Sequence, residues 1–207
     1  MNLPEYTKQI QGAVGAKQDG FYGVETARKI LAYIDGVEIK DLPISKTDRV
    51  DARSEKVIAS LQAAAQPYMR TLIKVAEQHG MTVKALSGFR SYAEQEQLYK
   101  AGKVTKAPPG HSGHNFGIAC DFGIFKNGKY LDNEVDKGNA SHRHMDAEYS
   151  ALGAWGRALG LSWGGDWKNF KDMPHFYFKP DWADRLNEDE MMAELRSRHD
   201  NKLDYYV

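Results

Sequence analysis

The stretch from Ser112 to Phe125, SGHNFGIACDFGIF, decides how this chain is interpreted. Its first half is a glycine-rich loop. In its second half, apolar side chains occupy every second position from Ile118 to Ile124. In a β-strand, such alternation gives one apolar face and places Asp121 on the opposite face. We therefore predict a strand here with one carboxylate directed away from the core.

Two histidines can join this carboxylate. His114 lies seven residues before Asp121, and His175 begins a second β-prone segment, HFYF, on which it can point to the same side of a sheet. Two imidazoles and one carboxylate are a standard ligand set for a single catalytic Zn²⁺, with a fourth position left for water. A lone loop histidine is more often a surface residue, so the prediction of a metal site depends on all three side chains together.

A general base is the next requirement of a zinc hydrolase. It must lie close to the metal and accept a proton from water without binding the metal itself. Asp172, three residues before His175 in DMPH, fits this role. Taken alone, it is equally a solvated aspartate in a lysine-rich loop.

Composition restricts the class of protein. The 207 residues carry 28 basic and 28 acidic side chains, so no broad positive field favours nucleic acid or anionic membranes. Cys120 is the only cysteine, which excludes an intrachain disulfide, and its alternation with Asp121 places it in the core. No secretory signal or apolar run of roughly 18 residues is found. These features predict a monomer made in the cytoplasm, without membrane insertion.

We predict an α+β fold, a small antiparallel sheet flanked by helices. The apolar spacing from Ser54 to Gly80 predicts one long helix, and Met81 to Leu86 a strand. Ser91 and Glu94 have capping-box spacing, so a helix should begin just after Arg90. Further along we predict an irregular segment over 126–143, a helix over 146–159, a strand over 175–178 and a helix over 187–199.

These elements divide the chain into four parts. We predict a short helical segment over residues 1–35, a polar linker over 36–53, the catalytic domain over 54–180 and a helical tail over 181–207. Within the first part, DGFYGVET (19–26) looks like the D-G-x-x-G-x-x-T turn of a three-helix peptidoglycan-binding module whose first helix is shortened or missing here. A helical hairpin docked on the catalytic domain is the alternative.

The segment from Ser112 to Asp121 resembles the S-x-H-x-x-G-x-A-x-D signature of the D-Ala-D-Ala metallopeptidase superfamily, which includes the vancomycin-resistance dipeptidases. The carboxylate-x-x-His signature is matched by Asp172 to His175. The motifs SGFRS, EQEQLY, WGGDW and PHF resemble the branch of L-alanyl-D-glutamate endopeptidases, found as bacteriophage endolysins and bacterial autolysins. The resemblance runs from about Ser54 to Pro180.

The resemblance implies a zinc-peptidase fold of the hedgehog-like type that hydrolyses the L-Ala–D-Glu bond of peptidoglycan stems by direct attack of water. Arg90 would bind the free α-carboxylate of D-Glu or steady the oxyanion. Its alternative role is an ion pair with Glu94 or Glu96. The implied site comprises His114, Asp121 and His175 as ligands, Asp172 as base, and Arg90 and Ser112 as substrate contacts.

Two rival functions stay open. A D-Ala-D-Ala carboxypeptidase would share the metal chemistry but cut a different bond. A non-catalytic wall-binding or particle-structural protein would keep only the fold, and the intact Asp172 argues against it. Absence of a secretory signal favours a phage endolysin that reaches the wall through a separate membrane pore or is delivered by the phage particle.

Other polar and aromatic side chains carry weaker signals. His111 is interpreted as a rim residue that can touch substrate. His142 and His144 have H-x-H spacing but no matching partner, so a metal site there is not predicted. Trp163 and Trp167 flank a glycine pair and either line the cleft or pack against backbone.

Overall fold

The computed structural model describes residues 3–19, 26, 29–30, 49–102, 104–131, 140–168 and 170–205. The helices among these residues are α1 (Leu3–Ala13), α2 (Ala52–Ile58), α3 (Gln66–Gln78), α4 (Tyr92–Ala101), α5 (Ala140–Ala158) and α6 (Glu188–Asp200). The strands are β1 (Thr82–Ser87), β2 (Ala119–Lys126), β3 (Lys129–Tyr130), β4 (Leu161–Trp163) and β5 (His175–Phe178). None of the described helices combines the length and apolarity needed to cross a membrane.

The strands form one antiparallel sheet in the order β1-β2-β5-β4, with β3 paired to β2. The longest strand, β2, lies between β1 and β5, so side chains of both neighbouring strands lie next to its own. Helices α3 and α5 pack on the sheet. The predicted fold class, a small antiparallel sheet with flanking helices, is confirmed.

One face of the sheet, which we call the core face, carries Cys120, Phe122 and Phe176. These three side chains are fully buried against apolar residues of α3 and α5 such as Leu72 and Leu152. Burial of an aromatic side chain of this size contributes about 1.5–3 kcal/mol. The predicted placement of Cys120 in the core is confirmed.

The opposite face, which we call the site face, carries Asp121 and His175. Next to them, Ala119 and Tyr177 belong to a second apolar cluster. That cluster joins the turn before β2 to the C-terminal segment, and its other members are Phe116, Ile118, Ala183, Met191, Met192 and Leu195. The C-terminal residues are therefore packed onto the sheet.

Helix caps agree with the sequence. Ser91 and Glu94 form the expected capping box at the start of α4, with Ser91 Oγ accepting from Glu94 N at 3.2 Å. Asn187 and Glu190 do the same for α6. At the end of α5, Gly160 adopts the left-handed conformation, with φ of +90°, that commonly follows a helix.

The prediction of one long helix from Ser54 to Gly80 is wrong. The chain leaves the helix after Ile58, turns through residues 59–65 and resumes a helix at Gln66. Pro67 lies in the first turn of α3. In a continuous helix, its ring would remove one backbone hydrogen bond and collide with the preceding turn. Leu61 and Ala65 are buried from within the turn itself, so they keep the apolar spacing without being helical.

The prediction of an irregular segment over 126–143 is wrong at both ends. Asn127 and Gly128 both have positive φ, at +51° and +75°, and form a two-residue turn that pairs β3 with β2. An Asn-Gly pair is the preferred sequence for such a hairpin. Helix α5 already begins at Ala140. Residues 132–139 and the side chains of His142 and His144 lie outside the described residues.

Part of the proposed N-terminal motif can be located. Residues 20–25 of DGFYGVET lie outside the described residues, but the side chains at both ends of the motif contact the buried Gln11 of α1. Gln11 Nε2 donates to Asp19 Oδ1 at 2.8 Å and to Thr26 Oγ1 at 2.9 Å. Helix α1 is thus joined by side-chain contacts to both ends of the motif.

Candidate metal centre

The site is built on a row of three residues across the sheet. Antiparallel pairing places Ser87 of β1 opposite Asp121 of β2, and Asp121 opposite His175 of β5. A β-bulge between Ala85 and Ser87 shifts the register at the end of β1. Since directly opposed residues point to the same face, the row brings Asp121 and His175 together on the site face.

His114 reaches the same place from a 3₁₀ turn, Gly113–Phe116, that leads into β2. The turn ends at Gly117, whose φ of +65° is a backbone conformation that glycine adopts without strain. His114 Nδ1 lies 2.7 Å from the Gly88 carbonyl oxygen and donates to it. With its proton on Nδ1, the imidazole keeps the lone pair on Nε2 for a metal ion.

The three predicted side chains converge. Asp121 Oδ1 lies 3.3 Å from His114 Nε2 and 3.0 Å from His175 Nδ1, and the three donor atoms are all within 4.8 Å of one another. Both histidines are buried. Ligands that share one tetrahedral zinc ion at about 2.0–2.1 Å stand roughly 3.3 Å apart. The donor set and its spacing therefore fit zinc, and His114, Asp121 and His175 would hold it.

Electrostatics hold Asp121 in its charged form. Burial by itself raises the pKa of the Asp121 carboxyl, but the charges and hydrogen bonds of His114 and His175 outweigh burial and keep that pKa well below its usual range. Burial lowers the pKa of His175, yet the hydrogen bond and charge of Asp121 raise it overall. A metal ion held by these three side chains would displace the imidazole protons that these hydrogen bonds use, because ligation needs the neutral imidazole.

Asp172 is placed next to this cluster by a closed loop. Asp172 N donates to the Gly164 carbonyl at 3.1 Å, and His175 N donates to the Asp172 carbonyl at 3.2 Å. A Cβ atom on Gly164 would stand 2.5 Å from the Asp172 carbonyl oxygen, so only glycine permits this approach. Burial, aided by the charge of Asp121, raises the pKa of the Asp172 carboxyl, whereas His175 opposes the shift.

Arg90 borders the cluster on the β1 side. Its backbone N donates to the His114 carbonyl at 3.0 Å, and its guanidinium donates to Gln95 Oε1 at 2.9 Å and to Ser87 Oγ at 3.2 Å. The alternative ion pairs are not formed among the described residues. Glu94 is held by the Ser91 cap, and Glu96 pairs with Lys100 at 2.7 Å.

Two amide side chains near Arg90 were not predicted. Gln95, buried in α4, holds the guanidinium through Oε1 and donates from Nε2 to the Ala107 carbonyl at 2.7 Å. Asn115 donates to the Arg90 carbonyl at 2.9 Å and accepts from Gly110 N at 3.0 Å. Together they tie the loop before His114 to Arg90. Both residues belong to motifs, EQEQLY and SGHNFG, from which their position could have been inferred.

Ser112 and His111 occupy the loop beside His114. Ser112 precedes the 3₁₀ turn, and its carbonyl accepts from Asn115 N at 2.9 Å. Its hydroxyl has no hydrogen-bond partner in the described part of the chain, which leaves it available to a ligand. His111 is exposed, and its Nδ1 lies 3.4 Å from Arg196 Nη1 of α6.

The two tryptophans differ. Trp163 is buried in the core cluster, and its indole N–H donates to the Met173 carbonyl at 2.7 Å, so it packs rather than lining a cleft. Trp167 lies against the His175 ring, with ring centroids 5.1 Å apart. Burial raises the pKa of the Glu188 carboxyl at the start of α6, and the charge of His175 opposes this shift. Glu188 was not predicted to lie near the site.

Comparison with known proteins agrees with this geometry. Residues 105–178 match the model of a peptidase M15 family described as D-alanyl-D-alanine carboxypeptidase. The chain is 41% identical over 113 residues to the peptidoglycan L-alanyl-D-glutamate endopeptidase CwlK of Bacillus subtilis (strain 168). That alignment covers 51% of this chain and 65% of the relative, just under two thirds of its length.

Two solved structures were also matched. The L-Ala D-Glu endopeptidase ChiX of Serratia marcescens has a TM-score of 0.45 and 26% identity, covering 68% of this chain and 94% of that one. VanYB in complex with D-alanine-D-alanine has a TM-score of 0.40 and 17% identity, covering 70% of this chain and 80% of that one. Residues 105–178 are thus similar to a family of D-alanyl-D-alanine carboxypeptidases, and all three converged side chains lie within this range.

Proposed function

We propose that this chain is a zinc-dependent peptidoglycan endopeptidase that hydrolyses the L-Ala–D-Glu bond of stem peptides. One observation carries the proposal: Asp121 lies within 3.3 Å of both histidine nitrogens, with Asp172 in the adjoining loop. The 41% identity to a peptidoglycan L-alanyl-D-glutamate endopeptidase supports the choice of bond.

In this proposal, His114, Asp121 and His175 hold the metal and Asp172 is the general base. Bound zinc supplies Lewis-acid chemistry by polarising a carbonyl and lowering the pKa of water. Asp172 takes the proton from the attacking water and delivers it to the leaving D-Glu nitrogen. The burial that raises the pKa of Asp172 strengthens it as a proton acceptor.

Arg90 and Ser112 are proposed to bind substrate. The guanidinium of Arg90 is oriented by Gln95 and Ser87, both neutral groups, so its charge stays available to an anion. The free α-carboxylate of D-Glu stands beside the scissile bond, and a guanidinium binds a carboxylate through paired hydrogen bonds. The hydroxyl of Ser112, which has no hydrogen-bond partner among the residues that the structure describes, can complete this contact.

The bond specificity is tested by digesting purified muropeptides and analysing the products by mass spectrometry. Cleavage at the proposed bond releases fragments with new D-Glu amino termini and leaves L-Ala on the glycan side. A D-Ala-D-Ala carboxypeptidase, the second candidate favoured by the description of the matched family model, would release a terminal D-Ala instead. A digest without either product would favour the non-catalytic wall-binding or structural alternative.

We further propose an endolysin-like role at the cell wall, with residues 54–180 as catalytic domain, residues 1–35 as a wall-binding-like segment joined by the linker 36–53, and 181–207 as the tail. The contacts of Gln11 with Asp19 and Thr26 support a coherent N-terminal segment. Sedimentation of this chain with purified walls, compared with a variant carrying Gln11→Ala, tests wall binding by that segment. Turbidity loss of permeabilised cells tests lysis.

A further inference from the structure

The loop over residues 107–112 leads into the turn that carries His114, and it contains Ser112, the proposed substrate contact. Asn115 holds this loop from within the turn, because Gly110 N donates to Asn115 Oδ1 at 3.0 Å. That hydrogen bond uses only the N–H group of Gly110. The carbonyl oxygen of the same residue is bound from a separate element, the C-terminal helix α6.

Arg196 of α6 supplies this second contact. Its Nη1 donates to the Gly110 carbonyl oxygen at 3.2 Å and lies 3.4 Å from His111 Nδ1. The aliphatic part of the side chain is also close to the loop, since a Cβ atom on Gly110 would stand 3.2 Å from Arg196 Cδ. A charged donor strengthens a hydrogen bond to a neutral carbonyl. The backbone of the loop is therefore held on two sides, by its own turn and by α6.

Apolar packing fixes α6 as well. Met191 and Leu195 of this helix belong to the same cluster as Phe116 and Ile118, which directly precede β2. All four side chains are buried. Removing the guanidinium of Arg196 should therefore loosen the loop while the helix stays docked on the sheet.

We propose that Arg196 is a positioning residue that holds the 107–112 loop in the conformation in which Ser112 meets the substrate. The C-terminal segment thereby completes the substrate side of the site. The inference rests on the proposed function, because it needs Ser112 to contact a stem peptide. Arg196 acts through the backbone of the loop and supplies no ligand to the metal.

The physical reason is the cost of ordering a loop on binding. A loop whose backbone is already held loses little conformational freedom when substrate binds, whereas a loosened loop must be ordered at that moment, which weakens binding. The same cost applies to the bound substrate and to the transition state. It therefore raises KM and leaves kcat nearly unchanged.

The test measures kcat and KM of the full chain, loaded with zinc, on a soluble purified muropeptide. Arg196→Met keeps an unbranched side chain against Gly110 but removes the guanidinium, and Arg196→Lys keeps a cation and a donor. Arg198→Met is the matched control, because the Arg198 guanidinium of the same helix pairs with Glu194 at 2.8 Å. Ser112→Ala, alone and combined with Arg196→Met, tests whether Arg196 acts through Ser112.

We expect Arg196→Met to raise KM about 3–30-fold with kcat within about twofold of wild type, and Arg196→Lys to reverse part of this rise. When Ser112→Ala is already present, Arg196→Met should raise KM less, because the contact that depends on the loop is gone. Hydrogen exchange of residues 107–112 should become faster in Arg196→Met but not in Arg198→Met, which reports on the loop without requiring activity. Thermal unfolding checks that all variants are folded.

A wild-type KM in Arg196→Met, or a rise of the same size with and without the Ser112 hydroxyl, would overturn this inference alone. So would a fall in kcat at unchanged KM that Arg198→Met shares, because that result indicates a merely structural role. A wild-type chain that cleaves no muropeptide would overturn the proposed function, and this inference with it.

Discussion

The two faces of the sheet use the same strands for different purposes. On the core face, Phe122 and Phe176 are fully buried among apolar side chains of α3 and α5. On the site face, Asp121 and His175 stand opposite each other. Each is the sequence neighbour of one of these phenylalanines. Here burial opposes rather than favours the charged form of Asp121, and only the neighbouring histidines offset that cost.

The contrast shows how a small domain separates stability from function. Apolar burial on the core face supplies free energy of folding. The site face instead carries a cluster of titratable groups and a glycine, Gly164, that permits close approach of the Asp172 loop. We therefore expect substitutions of the titratable groups on the site face to remove metal binding or activity without unfolding the chain, and substitutions on the core face to lower the free energy of unfolding.

The largest effect is expected from Asp121→Asn. The amide lacks the negative charge that the Asp121 carboxylate would offer to the metal ion. Zinc affinity should therefore fall by more than about 100-fold, and hydrolysis should fall to background. Metal content by atomic spectroscopy and the muropeptide digest measure both. Asp166→Asn is the control, because Asp166 is exposed and pairs with Arg157 at 2.9 Å. Full zinc content in Asp121→Asn would contradict the ligand assignment.

Asp172→Ala is expected to lower the turnover rate by about 10²–10⁴-fold, the usual contribution of a general base. Zinc content should stay at the wild-type level, because Asp172 is proposed as base and not as ligand. Burial raises the pKa of the Asp172 carboxyl, which means that the ionised carboxylate destabilises the folded state. Removing this charge should therefore not lower the free energy of unfolding. Unchanged lytic activity in this variant would rule out the proposed base.

On the core face, Phe122→Ala should lower the free energy of unfolding by about 3–5 kcal/mol, because a fully buried ring leaves a cavity. Urea unfolding measures the change. Phe170→Ala is the control: Phe170 is 62% exposed, and its loss should change stability by less than about 0.5 kcal/mol. Equal free energies of unfolding in the two variants would mean that burial of Phe122 on the core face does not stabilise the fold.

The smallest expected effect concerns Glu55 of α2, which accepts from Arg70 of α3 at 3.0 Å. That hydrogen bond is the largest cause that lowers the pKa of Glu55 from 4.5 to about 2, and hydrogen bonds from Val50 N and Arg49 add to it against the effect of burial. A lowered pKa in the folded state means that the stabilisation is present above pH 4.5 and is lost as the pH falls from there towards 2. We expect a loss of about 1–3 kcal/mol over that interval.

Urea unfolding of Glu55→Gln across the same pH range measures this contribution, since the variant should lack it at every pH. Glu77→Gln is the matched control, because Glu77 pairs with Lys74 at an exposed site and such pairs contribute little. A Glu55→Gln variant with the wild-type pH profile would show that the pair does not stabilise the fold.

Much of the site could be predicted from the chain alone. Alternation in ACDFGIF places Asp121 opposite the apolar set, and the ligand chemistry of two histidines and a carboxylate points to zinc. Capping motifs located the starts of α4 and α6. These signals are local, because residues within a few positions of one another determine them.

What the chain alone did not reveal depends on residues far apart in it. The turn over residues 59–65, before Pro67, buries Leu61 and Ala65 at helix-like spacing, so the apolar periodicity could not reveal the break in the helix. The contact of Gln95 with Ala107, and that of Arg196 with Gly110, follow from how loops and α6 pack on the sheet. Amino-acid type and local pattern thus determined the ligand chemistry, the strands and the caps. Tertiary packing alone decided which side chains surround the cluster, because those contacts arise only when separate elements are buried together.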